Sequence, residues 1–395
     1  MARSGFHTEG QQIDPERRYT VVVAPDSFKG SLDAHAVAAA IADGVRDALP
    51  LAEVRVHPVA DGGEGLLDVL LPVMGGTRCE TEVSGPLPGQ RVRASWGFVE
   101  QAGVAIVEMA QAAGLGLVPF DRRDPRITTT YGVGELLRAA LDRGARTIVV
   151  GIGGSATNDG GAGMAQALGA RFLDRRGMPL GSGGAALCEL DTIDVSASDP
   201  RIQKASVIVA CDVENLLTGP EGATAVYGPQ KGATPEIVEH LERCLERYRD
   251  VLRAQYGIDV QDFPGSGAAG GLGAGLIVFA DGQLRSGIDL VLDLTQFDSR
   301  LRGADMVITG EGSLDAQTKC GKALSGVLRR ARAARVPVLA VAGRVEGDPE
   351  RLKGPNGFAD LIGLVNDNTS SEEAMKHAAA LLRERTSMLV RKFVG

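Results

Sequence analysis

A chain of 395 residues is longer than one hydrophobic core usually serves, so two domains are expected. The net charge is −8 with histidines neutral, and no run of Lys and Arg forms a basic patch, which argues against nucleic acid as a partner. No apolar stretch approaches the ~18 residues of a membrane span, and residues 1–18 lack the apolar segment of a secretory signal, so they read as a disordered leader of a cytoplasmic protein.

Glycine is the compositional outlier: 53 residues is about twice the usual ~7% share. Aromatics are scarce, with Trp96 the single tryptophan. That balance suits backbone amides brought close to a ligand, not stacking on bases. The five cysteines, Cys79, Cys188, Cys211, Cys244 and Cys320, are widely spread with no C-x-x-C pair. They read as reduced thiols, neither a disulfide frame nor a zinc site.

Short β-branched runs recur, each leading into glycine and a carboxylate and then a helical pattern. Tyr19–Ala24 reads as a buried strand; Val37, Ile41, Val45 and Leu49 mark one face of the helix after it, with Ser31 as its N-cap. Val54 and Val56 alternate before the turn Ala60–Gly63, and Leu66, Leu67, Leu70 and Leu71 start a second helix. Arg146–Val150 leads into GIGGSATNDGGAG and a helix ending near Leu168, and Val207–Ala210 leads into CDVENLLTG. Met306–Thr309 leads into GEGSLDAQTKCGK and a helix with Ala323, Val327 and Leu328 inward; Val336–Ala342 is a further strand. Strands alternating with helices predict an α/β architecture with mostly parallel sheets. VSGPLPGQ (Val83–Gln90) and DFPGSGAAGG (Asp262–Gly271) read as linkers. They put residues 19–85 and 285–395 in one discontinuous domain and insert residues 86–284 as a second.

In open α/β sheets, ligands bind beyond the carboxyl ends of strands. That rule selects Asp26 and Lys29, Asp61 and Glu64, Asn158 and Asp159, Asp212 and Glu214, and Glu311 and Asp315. Carboxylates for Mg²⁺, a lysine for phosphate oxygens and glycine-rich backbone donors are what phosphoryl transfer needs. Some roles stay open at this level. Asp61 either binds metal or caps a helix, Asp315 either acts in the site or caps, and Lys231 is either a site residue or an exposed turn.

Gly151, Gly153 and Ala156 also spell G-x-G-x-x-A after a strand, with Asp174 about 20 residues on, which would suit a nicotinamide dehydrogenase. Gly265, Gly267 and Gly270 form a second match that follows no strand and reads as close backbone approach. Lys322 lacks the spacing of a Walker A loop, and neither H-E-x-x-H nor a nucleophile elbow occurs. His35, His57 and His240 are isolated and read as surface or packed residues.

Longer motifs carry more information. APDSFKGSL (24–32), VADGGEG (59–65), GGSATNDGGAGMAQALGA (153–170), CDVENLLTGPEGATAVYGPQKGA (211–233), GAAGGLGAG (267–275) and TGEGSLDAQTKCGKALSGV (309–327) follow one another in order. In these the chain resembles the bacterial glycerate kinase family, the type I enzymes that form 2-phosphoglycerate. It departs at Ala316, where the family often has Gly, and at Ala323-Leu324, where a residue followed by Pro is common. The resemblance implies two α/β domains, one Rossmann-like and built from both chain ends, and the substrates ATP and D-glycerate with Mg²⁺. It implies phosphate contacts from Gly153, Gly154, Ser155, Asn158, Asp159, Gly310, Glu311 and Gly312, and metal contacts from Asp61, Asp212 and Glu311. Lys29 would neutralise the transferred phosphate, and Asp212 or Asp315 would be the base. It leaves a homo-oligomer open. A non-catalytic sugar-acid sensor on the same scaffold is a third reading, opposed by retention of every acidic loop.

Overall fold

The computed structural model describes residues 17–63, 65–315 and 322–395. Its contacts divide the chain into two compact units, one made of the residues up to Ala60 together with Leu292–Gly395, the other of Asp61–Val291. Residues 1–16 of the expected leader lie outside the described part.

The first unit holds a five-stranded sheet in the order Asp360–Gly363, Val338–Glu346, Met306–Asp315, Thr20–Val23, Glu53–Val56. All four pairings are parallel, with Val21, Val22 and Val23 opposite Met306, Val307 and Ile308. Val21–Val23 are fully buried, as a strand covered on both faces must be. The helix Ala34–Ala48 buries Val37, Ile41 and Val45, the predicted stripe. Its N-cap is Asp33, not Ser31: Asp33 Oδ1 accepts from Ala36 N at 2.8 Å. Phe28 and Leu32 close a tight bridge around Ser31, so the helix starts only after it. The helix crosses Ala378–Val394 at Gly44, where a Cβ would overlap the Arg383 carbonyl oxygen. In Lys322–Ala333, Ala323 and Val327 are buried as expected, but Leu324 takes the core place given to Leu328, which is half-buried.

The second unit holds a six-stranded mixed sheet in the order Gln283–Arg285, Ser206–Ala210, Thr147–Gly151, Val104–Glu108, Arg91–Val99, Thr77–Ser84. The first four strands are parallel and the last two antiparallel. A two-stranded ribbon, Arg171–Leu173 with Thr192–Asp194, stands beside it in the same unit. Both expected linkers prove to be internal. VSGPLPGQ spans the turn of a hairpin in which Ser84 pairs with Arg91 and Val83 with Val92. DFPGSGAAGG runs into the helix Ala268–Ala280. The divisions fall at 60/61 and 291/292, not at 85/86 and 284/285.

His57, just past Glu53–Val56, is a packed residue: it is 4% exposed, with Nε2 2.8 Å from Thr295 Oγ1 and its ring 5.1 Å from that of Phe297. Burial, with a smaller push from Arg300, lowers its pKa from 6.5 to about 4. The fold keeps the neutral ring, so its stabilising share is intact above the unfolded pKa and is lost as pH falls from 6.5 through about 4. The shift corresponds to about 3 kcal/mol. The urea midpoint of the wild type should therefore drop more steeply between pH 7 and pH 4 than that of His57→Gln, which cannot titrate; parallel pH profiles would rule His57 out as the source.

Candidate active-site loops

In the second unit, three parallel strands end side by side at Gly151, Ala210 and Arg285. The turn Asp61–Gly63 lies against those ends: a Cβ on Gly62 would stand 2.9 Å from both Ala210 Cβ and Gly287 Cα, and one on Gly153 would stand 2.7 Å from Gly63 Cα. Only glycine lets these backbones meet. Asp61 is exposed, and its Oδ1 accepts from Gly63 N at 3.0 Å. It does not cap the helix Leu66–Met74, whose N-cap is Gly65. Asp212 lies just past Ala210 and is oriented by two donors, Ser286 Oγ and Gly287 N, each 3.0 Å from its Oδ1. Glu214 is exposed, and Glu64 lies outside the described residues.

The first turn of Leu66–Met74 is served by Glu108, which the sequence reading missed. Its Oε1 accepts from Leu67 N at 2.9 Å, and its Oε2 from Gln111 Nε2 at 3.3 Å. Glu108 is 5% exposed, and burial raises its pKa against those bonds. The signal was present: a carboxylate follows the apolar run Val104–Val107 at a strand's carboxyl end.

The loop GGSATND has an outer and an inner part. Gly153 is half-buried and Gly154 exposed, whereas Thr157, Asn158 and Asp159 are fully buried. Asn158 Nδ2 donates to Thr224 Oγ1 at 2.9 Å. Asp159 accepts from Thr130 N at 2.8 Å, Thr130 Oγ1 at 3.0 Å, Thr129 Oγ1 at 3.3 Å, Gly161 N at 3.2 Å and Gly163 N at 3.3 Å. The Asp159 carboxylate, expected to reach phosphate, is thus engaged in holding the loop. The chain turns inward because Gly160 and Gly161 adopt positive φ of 63° and 77° ahead of the helix Ala162–Ala167.

Lys231, open in the sequence, is 1% exposed, and its Nζ donates to Thr157 O at 2.6 Å. Burial lowers its pKa to about 7, while the charge of Asp159 works the other way. Gly270 fits here as well: a Cβ on it would overlap Thr157 O, so the second glycine match is a close backbone approach, as expected. The first match lacks its context. Helix Ala162–Ala167 starts well beyond Ala156, and Asp174 accepts from Arg176 N and Met178 N in the turn after a ribbon strand.

In the first unit, Asp26 N donates to Gly310 O at 2.8 Å, and Thr309 Oγ1 donates to Ala24 O at 2.8 Å. These bonds set Asp26 beside Gly310 and Glu311. Lys29 is exposed, and its backbone N would stand 3.6 Å from a Cβ on Gly312. The segment Gly310–Asp315, expected as a loop, continues the strand, with Glu311 opposite Ala342 and Asp315 opposite Glu346. The reason is a long parallel partner, Val338–Glu346, and Gly310, where a Cβ would overlap Val341 O. Asp315 is therefore about 13 Å of extended chain beyond Glu311. The described part of the next helix begins at Lys322. Lys319 lies outside the described residues.

Cys188 and Cys244 form a disulfide across a sequence separation of 56, which corrects the expectation of reduced thiols for this pair. The short 3₁₀ helix Gly184–Glu189 lies along the long helix Pro235–Tyr256 and brings them together. Sequence spacing carries no sign of such a meeting.

A model of the Glycerate kinase family matches residues 21–394. This chain belongs to the glycerate kinase family. It is 47% identical over 367 residues to a glycerate kinase of Bacillus subtilis, covering 93% of this chain and 95% of the relative. It is 45% identical over 328 residues to the glycerate 2-kinase of Escherichia coli, covering 83% and 86%. A solved structure from Salmonella typhimurium LT2, described as a glycerate kinase 2, is 44% identical with a TM-score of 0.83, covering 95% of this chain and 98% of that one.

For this member of the glycerate kinase family, Lys231 should be costly to remove. Lys231→Met leaves the buried Thr157 O without its donor, a loss of about 1–3 kcal/mol. Urea unfolding should show that fall with an unchanged m-value; a midpoint within error of wild type would mean the ammonium carries no such load.

Proposed function

We propose that this chain transfers the γ-phosphoryl group of ATP to the 2-hydroxyl of D-glycerate, giving 2-phosphoglycerate and ADP. The observation that carries the reading is family membership over residues 21–394, with 45% identity to a protein named glycerate 2-kinase. In the second unit, Gly287 packs on the Asp61 backbone, where a Cβ would overlap the carbonyl oxygen, and it donates its N–H to Asp212 Oδ1. Asp61 and Asp212 thus stand in backbone segments that pack on the same glycine, and their carboxylates are oxygen donors of the kind Mg²⁺ takes. We assign them that role, and Glu311 the same role in the first unit. Mg²⁺, when bound, would neutralise phosphate charge.

The chain's own groups then divide the work. The backbone of Gly153, Gly154 and Ser155 offers N–H donors to phosphate oxygens, and that of Gly310–Gly312 does the same in the first unit. Lys29, exposed on its short bridge, neutralises the transferred group. Between the two candidate bases we assign Asp212. Ser286 and Gly287 fix its Oδ1, which leaves the carboxylate in one orientation for accepting the hydroxyl proton.

An enolase-coupled assay without mutase should report glycerate- and ATP-dependent turnover that EDTA abolishes. Signal appearing only after mutase is added would make the 3-phosphate the product. Asp212→Asn should lower kcat by about 10²–10⁴-fold with a smaller change in glycerate KM, and Lys29→Ala should also act mainly on kcat. Wild-type kcat in either variant would overturn that residue's role.

A further inference from the structure

Three side chains outside the proposed chemistry gather on the long helix of the second unit. His240 and Cys244 are one turn apart on Pro235–Tyr256, and Cys188 faces them from Gly184–Glu189. One ligand atom from each lies within 4.8 Å of the other two. His240 Nε2 is 3.8 Å from Cys244 Sγ. Ligands bound ~2.0–2.3 Å from a tetrahedral Zn²⁺ stand about 3.5 Å apart, so the set has the right size and softness. Cys188 and His240 are partly exposed, which gives an ion a way in.

We propose that Cys188, Cys244 and His240 form a redox-gated site for one thiophilic divalent cation such as Zn²⁺, closed by the disulfide and opened by its reduction. A dithiol reductant supplies two electrons and two protons. The S–S bond breaks, two thiols form, and the reductant becomes a disulfide. The cation then binds both sulfurs as thiolates and the His240 imidazole, and two protons leave to solvent. The fourth position belongs to water. Either link, sulfur to sulfur or through the ion, fastens the same 3₁₀ helix to the long helix. That helix matters to the loop: a Cβ on Gly184 would overlap Asn158 O.

The test uses the full-length chain, reduced with a dithiol, desalted without oxygen and titrated with Zn²⁺ against a chromogenic chelator. Reduced wild type should bind one equivalent more than Cys188→Ser, and oxidised wild type should lack that equivalent until its thiols are restored. Co²⁺ in its place should give a thiolate charge-transfer band and the intense visible bands of tetrahedral coordination. His240→Gln should weaken binding by about 100-fold, the share of one ligand in such a site. Equal uptake by reduced wild type and Cys188→Ser, an octahedral Co²⁺ spectrum, or unchanged affinity in His240→Gln would overturn the proposal. The oxidised wild type serves as a control that needs no substitution.

Discussion

The second unit depends on one buried carboxylate. Asp159 collects hydrogen bonds from Thr129, Thr130, Gly161 and Gly163, with no solvent exposure. Burial alone would push its pKa up, and those donors work against that shift. An interior charge is tolerable only when so supplied. Lys231 adds the opposite charge and ties itself to Thr157 O, one peptide from Asn158. The consequence is a stiff inner loop, from which Gly153 and Gly154 emerge at the surface with their backbone direction set.

Such a held loop is what the proposed phosphate contacts need. A group that stabilises transferred phosphate must already point at it, because reorganisation during reaction costs rate. The glycines do the complementary work. Gly62, Gly153 and Gly270 remove side chains where backbones approach within contact distance, so strand ends and loops come closer than any Cβ would permit. Part of the glycine excess seen in composition thus serves backbone proximity inside the unit.

Much of the fold was legible. The strands at Thr20–Val23, Thr147–Gly151 and Ser206–Ala210, and the first part of Met306–Asp315, announce themselves as β-branched runs because parallel strands bury both faces. The antiparallel pair was not. Thr77–Ser84 is a largely exposed edge strand rich in Glu and Thr, so its sequence reads as polar connection and the hairpin turn after it reads as a linker. That one misreading moved the expected domain division from 60/61 to 85/86. The disulfide was hidden for a different reason: its partners meet through tertiary contact between a 3₁₀ helix and an α-helix, and neither segment encodes the other.

The candidate site was legible in residue type but not in residue role. Asp61, Glu108, Asp159 and Asp212 are all carboxylates placed just beyond strands or in the loops that follow them, and sequence treats them alike. What separates them is the supply of donors from elements distant in the chain. Asp159 is encircled by such donors and Glu108 is held at a helix start, so the lone pairs a metal would need are largely taken. Asp61 keeps an exposed carboxylate that accepts from Gly63 N, and Asp212 is oriented by Ser286 and Gly287. A carboxylate serves the fold when its acceptors are filled from within, and it can serve a ligand only when some are left facing outward. That supply of donors, which no motif spells out, is what separates Asp159 and Glu108, held within the scaffold, from Asp61 at the surface.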